Sequence, residues 1–229
     1  MRNGGRSARL KKFEGYQRKF WAYELDPKNP EMRIDFAYHR MKDLISKAKE
    51  TVRLGEVVEN VVRLPDEQEI YRFATVSRVD GRVRFKEETT TSYESKDLRV
   101  VKSGDLLVSG IDFVNGSVGT VHKNCNDLVV SKEYFTLRPK KGVRYRALPE
   151  YLAAVLRSRQ MREIIEGTVT GTSNRTRVQN VEVLLDLPIP KPTSLDNQKK
   201  VERKVKAAFK AQDRAERDLL NIGTSILGP

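Results

Sequence analysis

Three observations predict an α+β fold, a β-rich body with a packed helix followed by a long C-terminal helix of the coiled-coil type. Between residues 57 and 139 short β-branched or aromatic segments alternate with Asp-Gly, Ser-Gly and Asn-Gly steps. From 148 to 166 the pattern turns helical, and from 194 to 222 small and apolar residues recur at alternating spacings of four and three. A chain of 229 residues can bury one good core with helical flanks.

The elements follow in order. Residues 1–30 read as a basic N-terminal arm, disordered to about residue 15, and a hooked segment pinned by the aromatics of Tyr16 to Tyr23. Asp26-Pro27-Lys28-Asn29-Pro30 makes a turn, since each proline biases its predecessor away from the helical region. The body spans 31–192. Its first helix is expected over 33–52, with Ile34, Tyr38, Met41, Ile45, Ala48 and Val52 on one face. The strand segments include 71–76, 82–85, 105–109, 116–121 and 134–138, with Asp80-Gly81 and Asn115-Gly116 as hairpin signals. Leu148 to Glu166 is a single helix on this pattern, with Pro149 in its first turn and Gly167 as its cap. Val181 to Leu185 reads as an alternating segment, and Pro188-Ile189-Pro190-Lys191-Pro192 as a stiff spacer unable to continue a ladder. Residues 193–229 carry the last helix, with the seam Val201, Val205, Ala208, Gln212, Ala215, Leu219. So charged a helix is marginal alone and needs a partner face, from the first helix or from a second chain.

Charge narrows the function. Lys and Arg number 44 against 31 Asp and Glu, a net +13 that attracts polyanions. No run approaches the about 18 apolar residues of a spanning helix, and the first fifteen residues lack a secretory apolar stretch, so the cytoplasm is the expected location and no membrane contact is expected. A single cysteine, Cys125, with only His39 and His122 beside it, gives no internal disulfide and no Cys-based zinc site. No phosphate loop, methyltransferase cofactor loop or metal site is found, and no cofactor is expected. One nuclease-like pattern exists, Pro65-Asp66 followed by Glu94-Ser95-Lys96, and it gives an alternative reading as a magnesium-dependent nuclease.

Few aromatics are free to stack on bases, which favours duplex over single strands. The expected double-stranded DNA contacts fall in three groups. The loop Thr168 to Arg177 offers Asn174 for an adenine edge, Arg175 or Arg177 for a guanine edge, and Thr170, Thr172 and Ser173 for phosphates. A second group is Arg78, Arg82, Arg84 and Lys86, and a third is Asn115, His122, Lys123 and Asn124.

The ordered segments Tyr71 to Gly81, Lys102 to Ser109, Val130 to Pro139, Tyr151 to Ser158, Gly167 to Arg177, and Leu187 to Pro192 leading into Gln198 resemble the target-recognition domain of type I restriction-modification specificity subunits. The resemblance covers roughly 57–220. It implies a recognition domain over 31–192, a spacer or dimerisation helix over 193–229, no catalytic activity, and a DNA methyltransferase subunit and a restriction subunit as partners. With one recognition domain and one spacer helix, the chain departs from the family pattern and reads either as a half-length subunit that pairs as a homodimer to read a symmetric split site, or as a recognition domain that serves another modification system. A third reading is a DNA-independent decoy or assembly factor that binds a methyltransferase.

Overall fold

The computed structural model describes residues 10–13, 20–23, 36–48, 50–68, 70–90, 94–168, 177–178 and 180–227. Strands β1 (Leu10–Phe13) and β2 (Phe20–Tyr23) form an antiparallel hairpin with Leu10 opposite Tyr23. Part of the expected disordered arm is therefore paired backbone.

Helix α1 (Phe36–Lys47) ends earlier than its periodicity suggests. Val52 leaves the helical face and is buried in β3 (Thr51–Arg53), which runs into α2 (Leu54–Val57) and β4 (Val58–Asn60). The central strands are β5 (Ile70–Val76), β6 (Val83–Thr90), β7 (Leu98–Val100), β8 (Leu106–Ser109), β9 (Val118–Thr120), β10 (Val129–Ser131) and β11 (Tyr134–Pro139). Together with β4 they build two four-stranded sheets, ordered β6-β5-β10-β7 and β4-β11-β8-β9. All pairings in them are antiparallel except β10 with β5. Asp80-Gly81 closes the β5–β6 hairpin with Gly81 at φ 75°, and Asn115-Gly116 sits in the β8–β9 connection with Gly116 at φ 90°.

Strand β8 shows how the layers stack. It is buried on both faces, as a strand in the middle layer must be. Leu107 joins Ala74, Val76, Val83 and Val130 between the two sheets, whereas Leu106 and Val108 face a core shared with the helices. Those helices are α3 (Pro149–Leu156), α4 (Arg159–Thr168) and α5 (Val181–Leu185). Each fully buried Leu of this core contributes about 1.5–3 kcal/mol, and Leu54, Leu152, Leu156 and Leu184 all lie within it.

The helix expected over 148–166 is two. Arg157 and Ser158 break it, and the Ser158 hydroxyl accepts from the Met161 N–H at 3.3 Å, starting a new helix that carries Gly167 inside it. Residues 181–185 are helical because the Asn180 side chain accepts the Val183 N–H at 3.0 Å and caps that turn. The proline run does pair: β12 (Pro188–Pro190) lies antiparallel to β3, with Ile189 opposite Val52. The flanking bonds, Leu54 N–H to Leu187 C=O at 2.9 Å and Lys191 N–H to Glu50 C=O at 3.1 Å, ask no donor of either proline.

Helix α6 (Leu195–Leu227) follows, 33 residues and about 50 Å long. Its first turn is anchored by Gln198, which is fully buried. The Gln198 carbonyl accepts the Leu148 N–H at 2.8 Å, while its amide donates to the carbonyls of Arg146 and Thr193 at 2.9 and 2.7 Å. Among the described residues no helix is long and apolar enough to cross a membrane.

Candidate nucleic-acid interface

The β5–β6 turn is the best supported of the basic segments. Gly81 N–H donates to the Ser77 carbonyl and Ser77 N–H to the Arg82 carbonyl, both at 2.9 Å. Asp80 closes the turn from inside, with its carboxylate accepting the Arg82 N–H at 3.0 Å and the Arg84 guanidinium at 2.9 Å. Gln212 of α6 donates to the same carboxylate at 3.2 Å. Burial pushes the Asp80 carboxyl up, but the donors from Arg82, Ser77 and Gln212, with the Arg84 charge, outweigh it and hold it below the usual carboxylate range.

A second support is Arg157, at the α3–α4 break. Its guanidinium donates to the carbonyl of Gly116 and, at 2.9 Å, to that of Val79, so one side chain ties the β5–β6 turn to the β8–β9 connection. Burial lowers its pKa while Asp80 opposes the shift. The turn also lies flat on β9 because both contacting residues are glycines: a Cβ on Gly81 would stand 2.7 Å from the Val118 carbonyl, and one on Gly119 would strike the Gly81 carbonyl.

Not every expected contact residue is available at this surface. Arg82 is turned away from it: its side chain is 14% exposed, its guanidinium lies 4.4 Å from the centre of the Phe209 ring, and it donates to Asp213 and to the Phe209 carbonyl. It fastens the turn to α6, a role that sequence spacing could not reveal. Arg84, half-exposed, is shared between Asp80 and Glu216, the latter at 4.0 Å. Arg78 is 64% exposed with Asp112 at 3.8 Å, and Lys86 is exposed. Asn115 is exposed and donates to Asp112 at 3.2 Å. Lys123 and Asn124 are exposed in a short turn, and His122 faces Glu150 at 4.0 Å. Arg177 pairs with Glu133 and remains 52% exposed. Thr170, Thr172, Ser173, Asn174 and Arg175 lie outside the described residues.

The seam on α6 divides. Val201 packs on the helix-side core, and Val205, Ala208 and Phe209 face β9 and α3 across a cavity of about 270 Å³. Gln212 is taken by Asp80 and Glu216. This corrects the expectation of one continuous partner stripe: the helix's own body uses it through Gln212, because the β5–β6 turn reaches that far. Ala215 and Leu219 are exposed, as are Leu220 and Ile222, with Leu219 at 70%.

The residues of the nuclease-like pattern have other neighbours. Asp66 lines a groove of about 350 Å³ with Arg63, Arg72, Lys102 and Asp127, whereas Glu94 and Lys96 pair with each other on the surface. Among the described residues no group of three His, Cys, Asp or Glu could hold a metal ion. Cys125 is buried with its thiol on the Val83 carbonyl at 3.4 Å, and burial pushes its pKa up, the reverse of an activated nucleophile.

A buried ion-pair set lies where the Lys102 to Ser109 segment enters β8. Asp105, fully buried at the start of β8, accepts Arg63 at 2.7 Å, Arg138 at 2.6 Å and the Lys102 N–H at 2.8 Å. Arg63 and Arg138 lie 42 and 33 positions away, and nothing local in the sequence specifies such partners.

Comparison with solved structures places this arrangement. The HsdS subunit from Thermoanaerobacter tengcongensis aligns with a TM-score of 0.52 at 22% identity, over 78% of this chain and 46% of that one. The chain has the HsdS fold. A chain from a structure of complex assembly and conformational transition in the type I R-M system aligns with a TM-score of 0.53 at 20% identity, over 79% of this chain and 47% of that one. This chain thus spans about half the length of the HsdS-type structures it matches. No protein-family model and no curated protein matches the sequence.

Proposed function

We propose that this chain is a non-catalytic specificity subunit of a type I-like restriction-modification system. It reads one half of a bipartite double-stranded DNA target and docks a DNA methyltransferase subunit, through which a restriction subunit joins. The observation that carries this reading is the bracing of α6 against the very turn that presents Arg78: Arg82 and Asp80 hold Phe209, Gln212 and Asp213, so a basic, loop-rich end of an HsdS-type body is rigidly joined to a long rod. A net charge of +13 supplies attraction to the duplex. Base and phosphate contact falls to the exposed members of the set, Arg78, Arg84, Lys86, Asn115, Lys123, Asn124 and Arg177; Thr170, Thr172, Ser173, Asn174 and Arg175 are proposed with them from the sequence alone.

The second half-site is read by a second copy, paired through the exposed end of α6 from Ala215 to Ile222. A twofold pair of rods then fixes the distance between two bodies and requires inverted half-sites at constant spacing. Selection on random duplexes, with and without a co-expressed methyltransferase, tests the reading. The expected result is a split, inverted target bound with strong salt dependence. Absence of salt-sensitive duplex binding, with methyltransferase binding retained, favours the assembly-factor reading instead.

A further inference from the structure

Residue 79 stands out on the braced turn. Val79 is 90% exposed, the most exposed large apolar side chain among the described residues, and it sits between Arg78 and Asp80 at the tip of the β5–β6 hairpin. Its backbone is nonetheless held: its carbonyl accepts the Arg157 guanidinium at 2.9 Å, and the turn is locked by Ser77, Asp80 and, from α6, Gln212. Folding does not ask for an apolar group there, since so exposed a side chain buries almost nothing and a turn tip favours polar residues. A rigidly mounted, solvent-facing apolar group beside a cation suits a surface that presents charge and one apolar feature together. The major groove of DNA is such a surface, where the thymine 5-methyl group is the apolar mark among polar base edges and phosphates lie alongside.

We infer that Val79 is a specificity-determining residue that packs on the 5-methyl group of one thymine in the target, with Arg78 held to the adjoining phosphate or guanine edge. The inference rests on the proposed DNA-reading function and adds to it a named base feature and the side chain that senses it. Arg157 acts as a positioning residue, since it touches the turn backbone and not the base.

The test uses the full chain and the duplex selected above. Replacing each thymine in turn by deoxyuridine removes only the methyl group. One position is expected to weaken wild-type binding about three- to fivefold, the effect of one buried methyl-sized group. Val79→Ser should bind the thymine duplex as weakly as wild type binds that uracil duplex, and should be indifferent to the replacement. Val79→Ile, which keeps the apolar branch, should retain discrimination, and unchanged melting temperatures for both variants exclude a folding effect. Uracil replacement that weakens wild type and Val79→Ser equally, or neither, or a selected target without thymine, overturns the assignment while leaving the proposed function standing. Failure to select any duplex overturns both.

Discussion

Asp105 and Asp80 are both acidic residues surrounded by arginines, yet they act differently. Asp105 is fully buried, and its two arginines come from the segment after β4 and from β11, so it ties the edge of the middle sheet to its centre. Removing Asp105 leaves two part-exposed arginines and the Lys102 N–H without their acceptor, and Asp105→Ala is expected to cost about 1–3 kcal/mol in a urea unfolding series. Asp80 is nearer the surface, and its task is to fasten the turn to α6. Its folded pKa is depressed, so its contribution is complete above the unfolded value of about 3.9 and is lost as pH falls through the lower folded value. Hydrogen exchange at the Gly81 amide should therefore stay protected down to about pH 4 and lose protection below it. In Asp80→Asn that acid transition should be absent.

Helix ends were set by short polar side chains and by what lay opposite. Ser158 and Asn180 each accept a main-chain N–H three residues on, and those two caps convert one expected helix into two and a strand-like segment into a helix. Both residues are ordinary N-cap types and stand in the sequence, so these breaks were legible in principle. The pairing of Pro188–Pro190 with Thr51–Arg53 was not, since the residues are more than 130 positions apart and the proline run argues locally against a ladder. The start of α6 depends on Gln198 in the same nonlocal way. Gln198→Ala would leave the Leu148 N–H and the Arg146 and Thr193 carbonyls without their partner, and a loss of about 2–3 kcal/mol is expected in thermal or chemical unfolding.

At the scale of the whole molecule the design is a three-layer body with a rod laid along it from Gln198, through Val201, to the Phe209 to Asp213 turn. Past Glu216 the rod presents Leu219, Leu220 and Ile222, each more than half exposed. If that end pairs two copies, Ala215→Glu and Leu219→Glu should give monomers by light scattering and weaken binding to a split target, since the body-facing half of α6 is untouched. Retention of the dimer would count against a pairing role for this end. Ala208 is unsuited to that test, since it faces the cavity between α6 and the body.

The fold class, the hairpin turns at Asp80-Gly81 and Asn115-Gly116, the long last helix and the excess of positive charge were all legible before folding, because period, turn chemistry and composition are local or additive quantities. What each charged or seam residue faces was settled by packing in three dimensions. Arg78 and Arg82 lie four residues apart in one basic run, yet one points to solvent and the other grips Phe209 and Asp213 more than 120 residues away. Such partners are chosen by how two surfaces meet, and no spacing along the chain encodes that.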